Sequence, residues 1–82
     1  MITVYVIRSC SNGKRYVGIT NNLSRRLVEH RCAKSAAGHL LGDFELLHTE
    51  EFPDYSLARR REQKLKSGQG REWLDKKFGR VA

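Results

Sequence analysis

The 82-residue sequence is long enough for one small domain, which we expect to cover residues 1–82. It contains 16 Lys and Arg against nine Asp and Glu, which gives a formal net charge of +7. A hydrophobic fraction of 39% with 30% charged residues is typical of a folded chain rather than a disordered one. No apolar run approaches the roughly 20 residues of a membrane span, and no leader pattern is expected, so an integral membrane protein is excluded.

The two cysteines, Cys10 and Cys32, are too few for a disulfide framework and are typical of reduced thiols. A structural zinc site needs about four ligands at recognisable spacing, and the cysteines and histidines of this sequence show no such spacing. We therefore expect a cytoplasmic protein in which both thiols act as small apolar side chains.

Charge is distributed unevenly along the chain. Residues 43–54 contain five of the nine acidic residues and no Lys or Arg, so the remainder is strongly basic. Five cations surround Glu62 in one stretch: Arg59, Arg60, Arg61, Lys64 and Lys66. Such a field attracts polyanions, most often nucleic acid. The alternative is a solvated helix face that serves solubility alone.

The N-terminal third has the pattern of a β-hairpin. Residues 2–8 are rich in β-branched side chains and predict a strand, and residues 15–19 predict its antiparallel partner. Asn12-Gly13 between them is the strongest short hairpin signal, because both residues tolerate positive φ.

Helices and one further strand follow the hairpin. Asn21 or Asn22 can cap a first helix, and Asp54 or Ser56 can cap a second. Gly68-Gln69-Gly70 predicts a break before the last helix. The predicted elements are a helix over 23–32, a loop over 33–42, a strand over 44–50, and helices over 57–67 and 71–78.

This order of elements predicts an α+β fold, in which helices pack on a small antiparallel sheet. The last helix is expected to contribute three side chains to the core: Trp73, Leu74 and Phe78.

The hairpin places two tyrosines on one face. Pairing centred on Asn12-Gly13 sets the opposed residues, Tyr5 with Thr20 and Tyr16 with Ser9. Tyr5 and Tyr16 then share a face, and Gly18, opposite Ile7, leaves a gap between them that can form a floor for a ligand. The alternative is that each tyrosine is simply a buried strand residue.

Three polar side chains lie beside apolar helix positions. Arg26 and His30 are four residues apart and suit a phosphate, because a guanidinium offers a planar fork and an imidazole can relay a proton. The alternative is a surface arginine with a satisfied boundary histidine. Glu62 lies on the apolar side of its helix, between Ala58 and Leu65. A carboxylate there needs either a salt bridge to Arg26 or a divalent cation.

These residues follow one another in an ordered pattern. Thr3-Val4-Tyr5 and Tyr16-Val17-Gly18 lie on the paired strands, and Arg26, His30 and Glu62 follow on helices. In this order and spacing the chain resembles the GIY-YIG endonuclease superfamily over about residues 3–78. Thr3-Val4-Tyr5 corresponds to the Gly-Ile-Tyr motif of that family, with Thr3 in place of its Gly. The stretch 65–74 is similar to the single-domain bacterial members.

The resemblance implies a three-stranded antiparallel sheet flanked by helices, and Mg²⁺- or Mn²⁺-dependent hydrolysis of a DNA phosphodiester. It implies one catalytic set: Tyr5, Tyr16, Arg26, His30 and Glu62, with Glu62 as the metal ligand. Arg26 would stabilise the charge that develops on the phosphate. One tyrosine, alone or with His30, would take a proton from the attacking water, and which tyrosine does so stays open.

Basic side chains outside this set are expected to contact DNA phosphates: Arg25, Arg59, Arg60, Lys64 and Lys66. We expect a monomer with a structure-specific activity in DNA repair or recombination. The alternatives are a non-catalytic nucleic-acid-binding module with the same fold, and a nuclease subunit that a partner protein targets. The presence of all of Tyr5, Tyr16, Arg26 and Glu62 favours catalysis.

Overall fold

The structure, a computed structural model, describes residues 1–10, 13–31 and 44–79, without the side chains of His30 and Arg31. Its elements are β1 (Ile2–Ser9), β2 (Arg15–Thr20), α1 (Leu23–Arg31), β3 (Phe44–Phe52), α2 (Tyr55–Lys66) and α3 (Gly68–Phe78). This order confirms the predicted α+β fold. The predicted loop over 33–42 lies outside the described residues.

β1 is the central strand of a three-stranded antiparallel sheet with the order β2-β1-β3. Four consecutive side chains of β1, Val4 to Ile7, are buried, as expected of a strand covered on both faces. Their β-branched and aromatic character suits this position, because such side chains pack well on a pleated surface.

The two faces of β1 support separate packing layers. On one face, buried side chains of β1 contact α2 and α3: Ile2, Val4 and Val6 with Ala58, Leu65 and Leu74. On the other face, a smaller cluster contacts α1: Tyr5, Ile7 and Phe44 with Leu23 and Leu27. Each fully buried aliphatic side chain contributes roughly 1.5–3 kcal/mol. The sheet is thus enclosed between α1 and the α2–α3 pair.

The pairing of β1 with β2 differs from the predicted register. Tyr5 pairs with Gly18 rather than with Thr20, and Ile7 pairs with Tyr16. The turn is centred one residue earlier than predicted, because Ser9 and Lys14 close it. The Ser9 amide donates to Lys14 O at 2.9 Å and the Gly13 amide donates to Ser9 O at 3.0 Å.

Gly13 is therefore the last residue of the turn, with φ +73°, rather than the second residue of a two-residue loop. Residues 11 and 12 lie outside the described residues. Each residue of β1 pairs with a β2 residue two positions earlier than predicted. Because a shift of two residues keeps side chains on the same face, Tyr5, Tyr16 and Gly18 still share one face, as predicted.

Except at the start of α3, the element boundaries lie within two residues of the predicted ones. β3 continues to Phe52, and α2 begins two residues early because Asp54 rather than Ser56 caps it, its carboxylate accepting from the Leu57 amide at 3.0 Å. The cap of α1 is Asn22, whose Oδ1 accepts from the Arg25 amide at 3.1 Å. None of the helices in the described ranges has the length and apolar character to cross a membrane.

The Gly68-Gln69-Gly70 sequence forms the first turn of α3, so the predicted break over these residues is wrong. Ser67 ends α2 and also caps α3, its hydroxyl accepting from the Gly70 amide at 3.3 Å. Gly70 is buried, and a Cβ there would lie 2.1 Å from Lys64 O and 2.4 Å from Leu65 Cα. The glycine is thus required by the close approach of α3 to the end of α2.

A polar cluster with Trp73 at its edge joins α2 and α3 to β3. The Arg61 guanidinium donates to Glu50 at 3.0 Å, and His48 Nε2 donates to the same carboxylate at 2.8 Å. The Trp73 ring packs edge-on against His48, with Arg61 over it at 5.1 Å. Trp73 is 36% exposed and belongs to this cluster, whereas Leu74 is buried in the core as predicted.

Burial raises the pKa of the Glu50 carboxyl, but the hydrogen bonds from His48 and Arg61 outweigh burial and the pKa is lowered overall. A carboxyl whose pKa is lower in the folded state stabilises the fold above its unfolded-state pKa. That contribution is lost as the pH falls through the folded-state value.

We predict that Gly70→Ala destabilises the protein by about 3 kcal/mol, because backbone atoms rather than a flexible side chain occupy the space of the new methyl group. Gly68→Ala is the matched control, since nothing lies within 4 Å of a Cβ at that position. It is expected to be neutral or to stabilise by up to about 1 kcal/mol. Denaturant unfolding measures both, and equal stability of the two variants would contradict the close approach.

Candidate active site

The Tyr5 ring lies directly over Gly18 on the neighbouring strand. A Cβ at Gly18 would be 2.5 Å from Tyr5 Oη and 2.6 Å from Tyr5 Cζ. Tyr5 is only 3% exposed. The predicted gap at Gly18 is therefore present, but Tyr5 itself fills it, since Gly18 lies opposite Tyr5 and not opposite Ile7.

Tyr5 holds Arg26 at the start of α1. Arg26 Nε donates to Tyr5 Oη at 3.2 Å, and Arg26 Nη1 donates to Glu29 Oε2 at 3.1 Å. The hydrogen bond to Tyr5 raises the pKa of Arg26, burial partly opposes this, and Glu29 adds to the increase. Arg26 therefore stays cationic, and its orientation is fixed by a strand residue and by its own helix.

The N-terminus of α1 is fixed independently of these side chains. Thr20 Oγ1 accepts from the Asn22 amide at 3.1 Å, and Asn22 O accepts from the Arg26 amide at 3.1 Å. Because Thr20 ends β2, this short connection sets where the first turn of α1 lies relative to the hairpin. Arg26 is thus brought within reach of Tyr5 by the chain path as well as by the hydrogen bond.

These groups line a cleft of about 250 Å³ along β2, which we call the β2 cleft. Four consecutive residues of β2 line it, together with side chains from both helix layers. Its lining is Tyr5, Tyr16, Val17, Gly18, Ile19, Arg26, Glu62 and Lys66. The cleft thus contains two phenols, two cations and one carboxylate.

Glu62 reaches the cleft from α2, on the opposite side of the sheet from α1. Its side chain is 18% exposed, and Lys66 Nζ lies 3.5 Å from its Oε2. The predicted alternative of a Glu62–Arg26 salt bridge is wrong for the described side chains, since Arg26 pairs with Glu29 and Glu62 with Lys66.

The structure therefore brings together four of the five residues expected to be catalytic: Tyr5, Tyr16, Arg26 and Glu62. The fifth, His30, lies in α1, but its side chain is outside the described part of the chain. Sequence reasoning did not assign Lys66 to this cleft, although its spacing of four residues from Glu62 predicts that the two side chains meet. It also missed Glu29, which its spacing of three residues from Arg26 would have indicated.

The other basic residues expected to contact DNA lie outside the cleft. Arg25 is exposed and lies 3.6 Å from Glu29. Arg59 and Arg60 line a separate groove with Tyr55, Ser56 and Gln63 on the outer surface of α2. Lys64 is exposed on the same helix.

The donor set of the cleft fits a hard, largely hydrated cation. Among the described residues, no three acidic, histidine or cysteine side chains are grouped closely enough to hold a metal ion. Glu62 is the carboxylate of the cleft, and the two phenol oxygens are further oxygen donors. Mg²⁺ keeps several waters and is often held by one or two carboxylates together with substrate phosphate oxygens, so this set is compatible with it.

The three-stranded sheet, with helices on both faces and the β2 cleft along its edge strand, defines a small α+β domain. The GIY-YIG catalytic domain family matches residues 1–75. The chain therefore belongs to the GIY-YIG family.

Relatives and a solved structure agree with this assignment. The chain is 42% identical over 67 residues to a UPF0213 protein of Natronomonas pharaonis, which covers 78% of this chain and 75% of the relative. It is also 42% identical over 66 residues to a UPF0213 protein of Halobacterium salinarum, covering 77% and 82%. The solution NMR structure of a UPF0213 protein from Bacillus halodurans matches with a TM-score of 0.57 at 30% identity, covering 96% and 87%.

We predict that Gly18→Ala displaces the Tyr5 ring and weakens its hydrogen bond to Arg26. The added methyl group overlaps the end of the Tyr5 side chain, so a cost of about 1–3 kcal/mol is expected. The ¹⁵N chemical shift of Arg26 Nε reports the hydrogen bond. Gly68→Ala is the control that adds a methyl group away from the cleft, and an unchanged Arg26 signal in Gly18→Ala would contradict the contact.

Proposed function

We propose that this protein is a divalent-metal-dependent endonuclease that hydrolyses DNA phosphodiester bonds in the β2 cleft. The single observation that supports the proposal most is the content of that cleft: two tyrosines, a fixed arginine and a mostly buried glutamate within about 250 Å³. Membership of a nuclease-type family and the net charge of +7 are consistent with a DNA substrate.

Arg26 is suited to bind the phosphate that is cleaved. A guanidinium has five N–H donors, and the contacts to Tyr5 and Glu29 use two of them. The remaining donors can bind phosphate oxygens, and because the guanidinium is already oriented, little reorganisation is needed as charge develops in the transition state. Lys66 adds a second cation on the opposite side of the cleft.

Glu62 would hold the metal ion. A divalent cation bound there supplies Lewis-acid stabilisation of the phosphate and a lower pKa for a coordinated water. The contact between Lys66 and Glu62 satisfies the carboxylate when no cation is bound, which accounts for a glutamate being tolerated at a largely buried position.

The two tyrosines have different surroundings, which indicates different roles. Tyr5 is buried and its oxygen accepts from Arg26, so it positions the guanidinium. Tyr16 is less buried and lines the β2 cleft, where its hydroxyl can reach a water molecule. We therefore assign Tyr16, as its phenolate, as the group that accepts the proton of the attacking water, and Tyr5 as a positioning residue.

We predict that Glu62→Gln abolishes Mg²⁺-dependent DNA cleavage while DNA affinity and folding are retained, because an amide is nearly isosteric but is a poor Mg²⁺ ligand. Removing divalent cations with EDTA should abolish cleavage by the wild-type protein in the same assay. Glu72→Gln is a matched control, since Glu72 also pairs with a lysine four residues later, at 3.6 Å, but is exposed on α3. Wild-type cleavage by Glu62→Gln would refute the metal assignment, and no cleavage by the wild type on any DNA would favour a binding module.

We predict that Tyr16→Phe lowers the cleavage rate at saturating DNA by about 100-fold or more, since it removes the proton acceptor and leaves the ring. Thermal stability and DNA affinity should change little. Tyr55→Phe, on the exposed surface of α2, is the control for loss of a phenol outside the cleft. Single-turnover kinetics measure the effect, and a Tyr16→Phe protein as active as the Tyr55→Phe protein would exclude this role.

A further inference from the structure

A second, larger groove adjoins the β2 cleft. It has a volume of about 670 Å³ and shares Tyr16, Val17 and Lys66 with the cleft. Its remaining lining comes from the turn end of β2, the end of α2 and the beginning of α3. We call it the side groove and define it by Lys14, Val17, Leu65, Lys66, Arg71 and Leu74.

The floor and the rim of the side groove differ in chemistry. The floor is aliphatic: Val17 is partly exposed there and packs on the core cluster that contains the buried Leu65 and Leu74. The rim carries three cations: Lys14, Lys66 and Arg71. Among the described residues that line the side groove, none is acidic.

Arg15 also borders this groove but is held by the protein. Its Nη2 donates to Asp75 Oδ1 at 2.7 Å and its Nη1 donates to Gly79 O at 3.2 Å. Arg15 therefore ties β2 to the end of α3 and keeps the groove walls together.

This combination fits a nucleotide rather than a phosphate alone. The rim cations can bind backbone phosphates, while an aliphatic floor offers nothing to a phosphate or to the polar edge of a base pair. The flat face of a base suits such a floor, and that face is accessible only when the base is unstacked. In paired duplex DNA the faces of the bases are covered by their neighbours.

We propose that the side groove is a subsite for one unpaired nucleotide, next to the phosphodiester that lies in the β2 cleft. This inference rests on the proposed function, because it takes the β2 cleft as the place of cleavage. Tyr16 and Lys66 border both spaces, so the strand passes directly from one to the other. The substrate is then DNA with an unpaired nucleotide on one side of the cleaved bond.

The test measures binding without cleavage, in EDTA, by fluorescence anisotropy. The probes are a blunt hairpin duplex and the same hairpin with a short single-stranded extension. Arg71→Ala should weaken binding to the extended DNA by about ten-fold and to the blunt DNA by less than about two-fold. Lys76→Ala is the matched control, since Lys76 is an exposed cation of the same helix that does not line the groove, and it should affect both DNAs equally.

A second measurement addresses the floor of the groove. The base analogue 2-aminopurine is placed in turn at each position of the extension, and the wild-type protein should change its fluorescence most at one position. Val17→Thr puts a hydroxyl on the floor at similar volume and should reduce that change, with folding checked by thermal melting.

Equal effects of Arg71→Ala and Lys76→Ala on both DNAs would overturn the subsite, as would the absence of any position-dependent fluorescence change with the wild-type protein. If either result occurred while cleavage still required Glu62, the subsite would be wrong and the proposed nuclease function would stand.

Discussion

The packing of the Tyr5 ring against Gly18 is the contact on which the geometry of the site depends. The absence of a side chain at Gly18 lets the ring lie flat across the neighbouring strand, with its hydroxyl at the edge of the sheet. At that edge the hydroxyl accepts a hydrogen bond from Arg26 of α1. A larger residue at position 18 would move the ring and would release Arg26. Gly18 of the Tyr16-Val17-Gly18 motif thus provides the space that Tyr5 of the Thr3-Val4-Tyr5 motif occupies.

The β2 cleft also requires that β2 be an edge strand. The order β2-β1-β3 leaves β2 at one side of the sheet, where α1 from one face and α2 from the other can both be reached. Arg26 reaches the cleft from α1, on one face of the sheet, and Glu62 reaches it from α2, on the other face. The edge of the sheet therefore separates the arginine from the glutamate. This arrangement keeps the two side chains from forming a salt bridge with each other, and in the proposed function each binds a different part of a phosphodiester.

Much of this architecture could be predicted from the sequence, because local signals decide it. The β-branched run of β1, the Asn22 and Asp54 caps and the spacing of Arg26 from the hairpin are short-range features. The face shared by Tyr5 and Tyr16 was also correct, because the register error was an even number of residues. These features depend on neighbours in the chain rather than on distant contacts.

The features that the sequence did not predict depend on contacts between distant residues. Tyr5 fills the space over Gly18 because the observed register places the two residues opposite each other. The hydrogen bond from the Ser9 amide to Lys14 O sets this register at the turn. Gly68 to Gly70 were predicted to break a helix, yet Gly70 is a glycine because α3 packs on the end of α2. Trp73 was predicted to be a core residue, but it is 36% exposed and packs against His48 and Arg61.

We propose that Tyr5 and Arg26 act as one unit that orients the guanidinium for the phosphate. A double-mutant cycle on the single-turnover cleavage rate tests it most directly, with Tyr5→Phe, Arg26→Ala and the double variant, all checked for folding by thermal melting. We predict that Tyr5→Phe alone slows cleavage by about five-fold or more and that the double variant is no slower than Arg26→Ala alone, so that the coupling energy is at least about 1 kcal/mol. Effects of the two substitutions that multiply in the double variant would contradict it, since Tyr5 and Arg26 would then act independently.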